Sequence, residues 1–196
     1  VKTAFLGLDG VLCDFLGAAL RLHGRDVDEV YAPPEAKGVR NAWELLGIDE
    51  AAFWKPINKQ GYVFWSSLPW TPDGRRILAA VEAAFGEENV HLITSPCDDH
   101  WCVAGKASWV RYSLPKYARR LHLSPANWEL AGKDKFLLDD GDVNCRRWGA
   151  MGGEFIKIAR PWNARYGQAE TAVGTLLDDI WSRLRTKVVF AEGVLA

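Results

Sequence analysis

The chain has 196 residues, a formal charge of −1 and 48% apolar residues, which suits one domain with a small insertion and excludes a disordered polymer. The near-neutral balance excludes a polycation that grips nucleic acid nonspecifically, so no polymeric nucleic-acid partner is expected. No apolar run approaches the roughly 20 residues that span a bilayer, and the first residues lack a basic flank, long apolar stretch and small-residue cleavage site, so no membrane partner and a cytoplasmic location are expected.

The elements follow in chain order. TAFLGLD (3–9) reads as a short buried strand ending at an acidic, glycine-containing turn. Residues 16–66 break the pattern of the rest: FLGAALRLHG and RNAWELLG suit short helices, YAPPEAKG a loop, and FWKPINKQGYVFWSSLPW is dense in aromatics. They read as an inserted cap, with residues 1–15 and 67–196 forming the core domain. DGRRILAAVEAAFG (73–86) has one apolar face and a terminal glycine, and suits a helix. NVHLITS (89–95) is a second strand, and GKASWVRYSLPKYARRL (105–121) is helical until Pro115 intervenes. KFLLDD (135–140) and GEFIKIA (153–159) are further strands, and QAETAVGTLLDDIWSRLRTKVV (168–189) a surface helix. Strands alternating with helices predict an α/β fold, a parallel sheet covered on both faces.

The four cysteines, Cys13, Cys97, Cys102 and Cys145, lack C-x-x-C spacing, and reduced thiols are the default. Cys97, His100 and Cys102 would need Cys145 to complete a zinc site, which is incomplete spacing for that metal. Among the ten tryptophans, Trp109, Trp148 and Trp181 fall on helical patterns and suit the core, whereas Trp54, Trp65 and Trp70 lie in or beside the cap, where they suit either hinge packing or stacking on a base.

Ligands in open α/β sheets bind at the carboxyl ends of the strands. That rule gathers Asp9, Asp139, Asp140 and Asp142, the hydroxyls of Thr94 and Ser95, and the nearby lysines Lys106, Lys133 and Lys135. Crowded carboxylates repel unless a cation neutralises them, and oxygen ligands suit Mg²⁺; hydroxyls with lysines suit a phosphate. Asp9 also suits the N-cap of a following helix.

The ordered segments LDGVLCDF, LPWTPDGRRIL, HLITSPCDDHWCVAGKASWV and FLLDDGDVNCRRWGAMGGEFIKIARPWN resemble the haloacid dehalogenase (HAD) superfamily, and within it the 5′(3′)-deoxyribonucleotidases and their phage and bacterial relatives. The resemblance implies a Rossmann-like parallel sheet flanked by helices with a small helical cap, Mg²⁺ as cofactor, and a nucleoside (deoxy)monophosphate or other small phosphate ester as ligand. Homodimers are common in that family. Its first strand ends Asp-x-Asp-Gly, where the first Asp attacks phosphorus and the second is the acid and base. Here the second is Asp9, and Gly7 stands in the nucleophile position. By the same resemblance Thr94, Ser95, Lys106 and Lys133 bind phosphate, with Lys135 open as the alternative to Lys133. Asp9, Asp139 and Asp140 hold the metal, Phe15 packs on the base, and Trp65 or Phe64 forms the other wall.

Glycine has no side chain, so no aspartyl-phosphate forms at position 7 and that mechanism is blocked at its first step. Three readings follow: a nucleotidase lacking its nucleophile, a repurposed enzyme in which Asp9 activates a metal-bound water, and a non-catalytic nucleotide-binding module.

Overall fold

The computed structural model describes residues 2–192, with side chains to residue 182. Residue 1 and residues 193–196, which the expected core segment includes, lie outside the described residues, as do the side chains at the end of the expected C-terminal helix. The strands are β1 (Thr3–Gly7), β2 (Val90–Thr94), β3 (Leu121–Leu123), β4 (Lys135–Asp139) and β5 (Glu154–Lys157). They form one parallel sheet in the order β3-β2-β1-β4-β5.

β1 is central, and Leu6 is in register with Leu92 of β2 and Leu138 of β4. A strand covered on both faces needs an unbroken apolar run, and Ala4 to Gly7 are all buried. Alternate side chains go to opposite faces: Ala4 and Leu6 join the large core, whereas Phe5 joins Ile93, Leu137, Cys145 and Trp148 on the other. The order of connection reverses between β1 and β4, which places the ligand crevice at the carboxyl ends of those strands.

Between β1 and β2 lie α1 (Phe15–Leu22), α2 (Val27–Val30), α3 (Ala42–Leu46), α4 (Glu50–Gln60), α5 (Tyr62–Ser66) and α6 (Gly74–Phe85). The N-cap of α1 is Asp14, whose carboxylate accepts from the Gly17 amide at 2.9 Å, so Asp9 is not a helix cap. α6 buries Ile77, Leu78, Val81 and Phe85 along one stripe, each contributing roughly 1.5–3 kcal/mol. After β2 comes α7 (His100–Ser113), which starts five residues before the expected helix because Asp99 caps it, accepting from the Trp101 amide at 3.0 Å. The chain then turns at Pro115 and enters β3, a strand of three residues that pattern reading misses. α8 (Asp142–Ala150) and α9 (Ala172–Glu192) complete the fold. No helix among the described residues is long and apolar enough to cross a membrane.

α5 packs directly against α7. A side chain at Gly105 would collide with the Trp65 Cβ, so glycine is needed for this close approach. The indole N–H of Trp65 donates to Asp99 at 2.9 Å, and that of Trp109 donates to the Leu68 carbonyl at 2.6 Å. These contacts tie the helical segment to α7, the helix that carries Lys106.

Candidate functional site

β1 delivers Asp9 through a tight turn: the Leu8 carbonyl accepts from the amides of Val11, Leu12 and Cys13 at 3.2, 2.8 and 2.8 Å. Gly10 in this turn has φ +70°, and a Cβ there would stand 2.5 Å from Asp140 Oδ2, so a side chain is excluded both by conformation and by space. Asp9 Oδ2 pairs with the Lys106 ammonium, while Asp9 Oδ1 is buried and has no hydrogen-bond partner among the described residues.

Lys106 lies on α7 and is 2% exposed. Its Nζ donates to Asp9, to Thr94 Oγ1 at 2.9 Å and to the Ser95 carbonyl at 3.1 Å, and lies 5.1 Å from the Trp65 ring centroid. Burial works against its charge, but Asp9 foremost, with Cys102, outweighs that and raises its pKa above the usual lysine value. Ser95 Oγ accepts from Asn127 at 3.0 Å.

Asp139 and Asp140 lie at the end of β4. Asp139 Oδ1 accepts from the Gly141 amide at 2.7 Å and from Asn144 at 3.4 Å. Burial, and then the neighbouring Asp140, push its pKa up to about 7. Asp140 Oδ2 accepts from Trp162 Nε1 at 2.5 Å and from Arg40 Nη1 at 3.2 Å. The stretch after β5 braces this end: Asn163 donates to the carbonyls of Asp140 and Ile158 at 3.0 and 2.8 Å. Arg160 grips Asp73 with two 2.8 Å bonds and donates to the Gly10 carbonyl at 2.5 Å.

These groups face a cavity of about 260 Å³. Asp9, Ser95, Lys106, Asp140 and Arg40 line its charged side, and Phe15, Trp43, Phe53, Trp54 and Trp65 its aromatic side. Phe15 stacks on Trp65 with centroids 5.5 Å apart and planes 4° from parallel, and Trp54 lies 5.7 Å away. Cys97 is half-buried on the same wall; a hydrogen bond from the Cys102 thiol lowers its pKa to about 7, against the effect of burial. Thr94 and Asp139 are buried behind the lining.

Several expected positions fall elsewhere. Lys133 and Lys135 are at the amino end of β4, where the Asp134 carbonyl accepts from the Thr3 amide. Four residue steps of strand separate Lys135 from Asp139, about 13 Å, and Lys133 is further still. Lys135 instead donates to the Leu130 carbonyl at 2.8 Å. Asp142 faces Lys157, with which it forms an ion pair. Phe64 is buried edge-on to Phe15 and Trp65, behind the wall it was expected to form. Trp70 packs on Trp109 and under Arg75, outside the cavity. Trp109 and Trp148 are core residues, but Trp181 is 44% exposed.

A zinc cluster does not assemble: Cys145 belongs to the small core beneath the sheet, away from Cys102. Nor do the carboxylates form a cation site. Among the described residues no three His, Cys, Asp or Glu side chains converge on a metal position. Asp9 Oδ2 pairs with Lys106, Asp140 Oδ2 accepts from Arg40 and Trp162, and Asp139 Oδ1 accepts from Gly141 and Asn144. The Asp139 carboxylate leans over Gly7, where a Cβ would meet its Oδ2 at 2.7 Å. The residues present therefore do not fit a Mg²⁺ ion in this arrangement.

No protein-family model matches the chain, and no curated protein is significantly similar to it. Solved structures are. A haloacid dehalogenase-like family hydrolase from Streptococcus pneumoniae superposes with a TM-score of 0.52 at 9% identity, covering 88% of this chain and 90% of that one. A HAD-superfamily hydrolase of subfamily IA from Geobacter sulfurreducens gives 0.47 at 14% identity, over 80% and 86% of the two chains. A HAD family hydrolase from Deinococcus radiodurans, solved with bound phosphate and sodium, gives 0.44 at 10% identity over 79% of each. The first of these likenesses establishes a shared HAD-like fold; identities this low carry no chemistry across.

Proposed function

We propose that this chain binds a nucleoside (deoxy)monophosphate, or a closely related small phosphate ester, in a nucleotidase-like pocket beneath a cap formed by residues 16–66. The observation that carries this reading is the division of one cavity into a charged floor and an aromatic wall. The floor presents Arg40, Ser95 and the Lys106–Asp9 pair to a phosphoryl group, and the wall presents Phe15, Trp43 and Trp54 to a base. Stacking on such a wall typically contributes about 1–3 kcal/mol per base. A cavity of about 260 Å³ suits a single small molecule and not a polymer.

The covalent route is closed at Gly7, which offers no atom to attack phosphorus. A second reading rests on Asp9 Oδ1, a buried acceptor with no partner among the described residues. In that reading Asp9 takes a proton from water or a ligand hydroxyl, as a general base held in place by Lys106. Phosphate release that disappears in Asp9→Asn would establish it, and the absence of release from any phosphate ester would leave binding alone.

The binding reading is tested by following tryptophan fluorescence while nucleoside 5′-monophosphates and the matching nucleosides are titrated into the protein. At least one monophosphate should bind tenfold or more tightly than its nucleoside, the equivalent of about 1.4 kcal/mol from the phosphoryl group. Equal affinities, or no binding by either series, would sink it.

A further inference from the structure

Mg²⁺ demands near-octahedral oxygen ligation, whereas among the described residues no three candidate ligand side chains converge, and Asp9, Asp139 and Asp140 each have one carboxylate oxygen engaged by a protein donor. We propose that the guanidinium of Arg40 occupies the electrostatic place of a divalent cation, so that the pocket takes its phosphate ester without a metal. The proposal rests on the phosphate-binding reading above and adds to it the group that makes the contact.

Charge balance supports the substitution. Arg40 offsets the charge of Asp140, as Lys106 offsets that of Asp9. The lining as it stands, Asp9 and Asp140 against Lys106 and Arg40, is already neutral. A divalent ion at Asp140 would sit beside a guanidinium only 3.2 Å from the same carboxylate oxygen, and Trp162 Nε1 holds that oxygen from another direction at 2.5 Å. Like charges at such spacing repel strongly in a partly dry site.

Donor accounting separates Arg40 from Lys106. A lysine ammonium has three donors, and Lys106 spends all three on Asp9, Thr94 and the Ser95 carbonyl. Arg40 has five, and among the described residues it makes a single side-chain hydrogen bond, to Asp140. Its side chain is 55% exposed and it lines the cavity, so its remaining N–H groups are available to phosphoryl oxygens in the planar fork that guanidinium offers. Lys106 supplies fixed charge beneath the ligand, and Arg40 supplies the hydrogen bonds.

The test uses two probes, Mn²⁺ alone and inorganic phosphate alone. Mn²⁺ is titrated into the wild-type protein and Arg40→Ala while the electron paramagnetic resonance signal of the free ion is followed; phosphate binding is measured calorimetrically in EDTA. The wild type should leave free Mn²⁺ unchanged into the millimolar range, and Arg40→Ala should take it up at least tenfold more tightly. Phosphate should bind the wild type in EDTA and lose tenfold or more in Arg40→Ala. Mn²⁺ uptake by the wild type that Asp140→Asn abolishes, no Mn²⁺ uptake by Arg40→Ala, or the same phosphate response from both proteins would each overturn the proposal. Failure of the nucleotide reading shows separately, as monophosphates that bind no better than nucleosides while the Mn²⁺ and phosphate results stand.

Discussion

Asp9 and Asp140 stand at the ends of neighbouring strands and each faces a cation, but the two cations come from different places. Lys106 belongs to α7, a core helix locked to α5 by the Gly105–Trp65 contact, and its side chain is 3% exposed. Arg40 belongs to the loop before α3, within the segment between β1 and α6, and more than half of its side chain reaches solvent. In the first pair the cation is the buried member and Asp9 is 30% exposed; in the second the Asp140 carboxylate is buried and the cation is a clasp laid over it from the helical segment. Losing a partner from a buried pair leaves a charge stranded in low dielectric, whereas an exposed ion pair is readily replaced by water.

That contrast orders the expected effects of substitution. Lys106→Met should cost the most, about 3 kcal/mol in chemical denaturation, because it takes one buried ammonium away from Asp9, Thr94 and the Ser95 carbonyl together; a loss under about 1 kcal/mol would erase the distinction between the two pairs. Gly7→Asp comes next, at about 1–3 kcal/mol, since the new Cβ would meet the Asp139 carboxylate at 2.7 Å and Val11 at 3.2 Å. Its melting temperature should fall most at alkaline pH, where both carboxylates are charged.

Asp139→Asn should act through pH. In the folded chain Asp139 keeps its proton up to about pH 7, because of burial and then Asp140, while in the unfolded chain it ionises near the ordinary aspartate value. The folded state thus binds the extra proton between about pH 4 and 7, and stability falls as pH rises through that window before levelling off. Asparagine retains the oxygen that accepts from Gly141 and removes the titration, so the slope of melting temperature against pH should flatten. An unchanged slope would show that Asp139 is ionised across the window. The smallest effect belongs to Arg40→Ala, about 1 kcal/mol in stability, because the guanidinium is more than half exposed and the buried Asp140 carboxylate keeps its Trp162 donor. A large loss there would mean that the clasp holds the helical segment in place and not only the carboxylate.

Much of the site is legible along the chain. Asp9, Thr94, Ser95, Asp139 and Asp140 each follow an apolar run, and in a parallel sheet the polar residue that ends such a run must emerge at the carboxyl edge. Lys106 was gathered with Lys133 and Lys135 as a nearby lysine, and nothing in the local pattern set it apart from them, because a lysine within a helical pattern is ordinarily a solvated residue; Phe15 was reachable only through the family resemblance. Lys133 and Lys135 misled because nearness in sequence to Asp139 is distance along an extended strand. Phe64 and Trp181 show the converse limit: aromatic density does not say which ring faces a cavity, the core or solvent. Arg40, Trp162 and Asn163 carried no local signal, since each acts on Asp140 across at least twenty-two residues of chain.

The sequence by itself determined the alternation of strands and helices, the polar strand ends that make the crevice, and a glycine without side-chain chemistry at position 7, because these depend on local pattern and on residue identity. Only the tertiary structure decided which charges face one another. That Lys106 is consumed by three acceptors, that Arg40 reaches Asp140, and that the Asp139 carboxylate lies against Gly7 all follow from side chains meeting across the sheet and the inserted helices, where distance is set by packing and not by position in the chain.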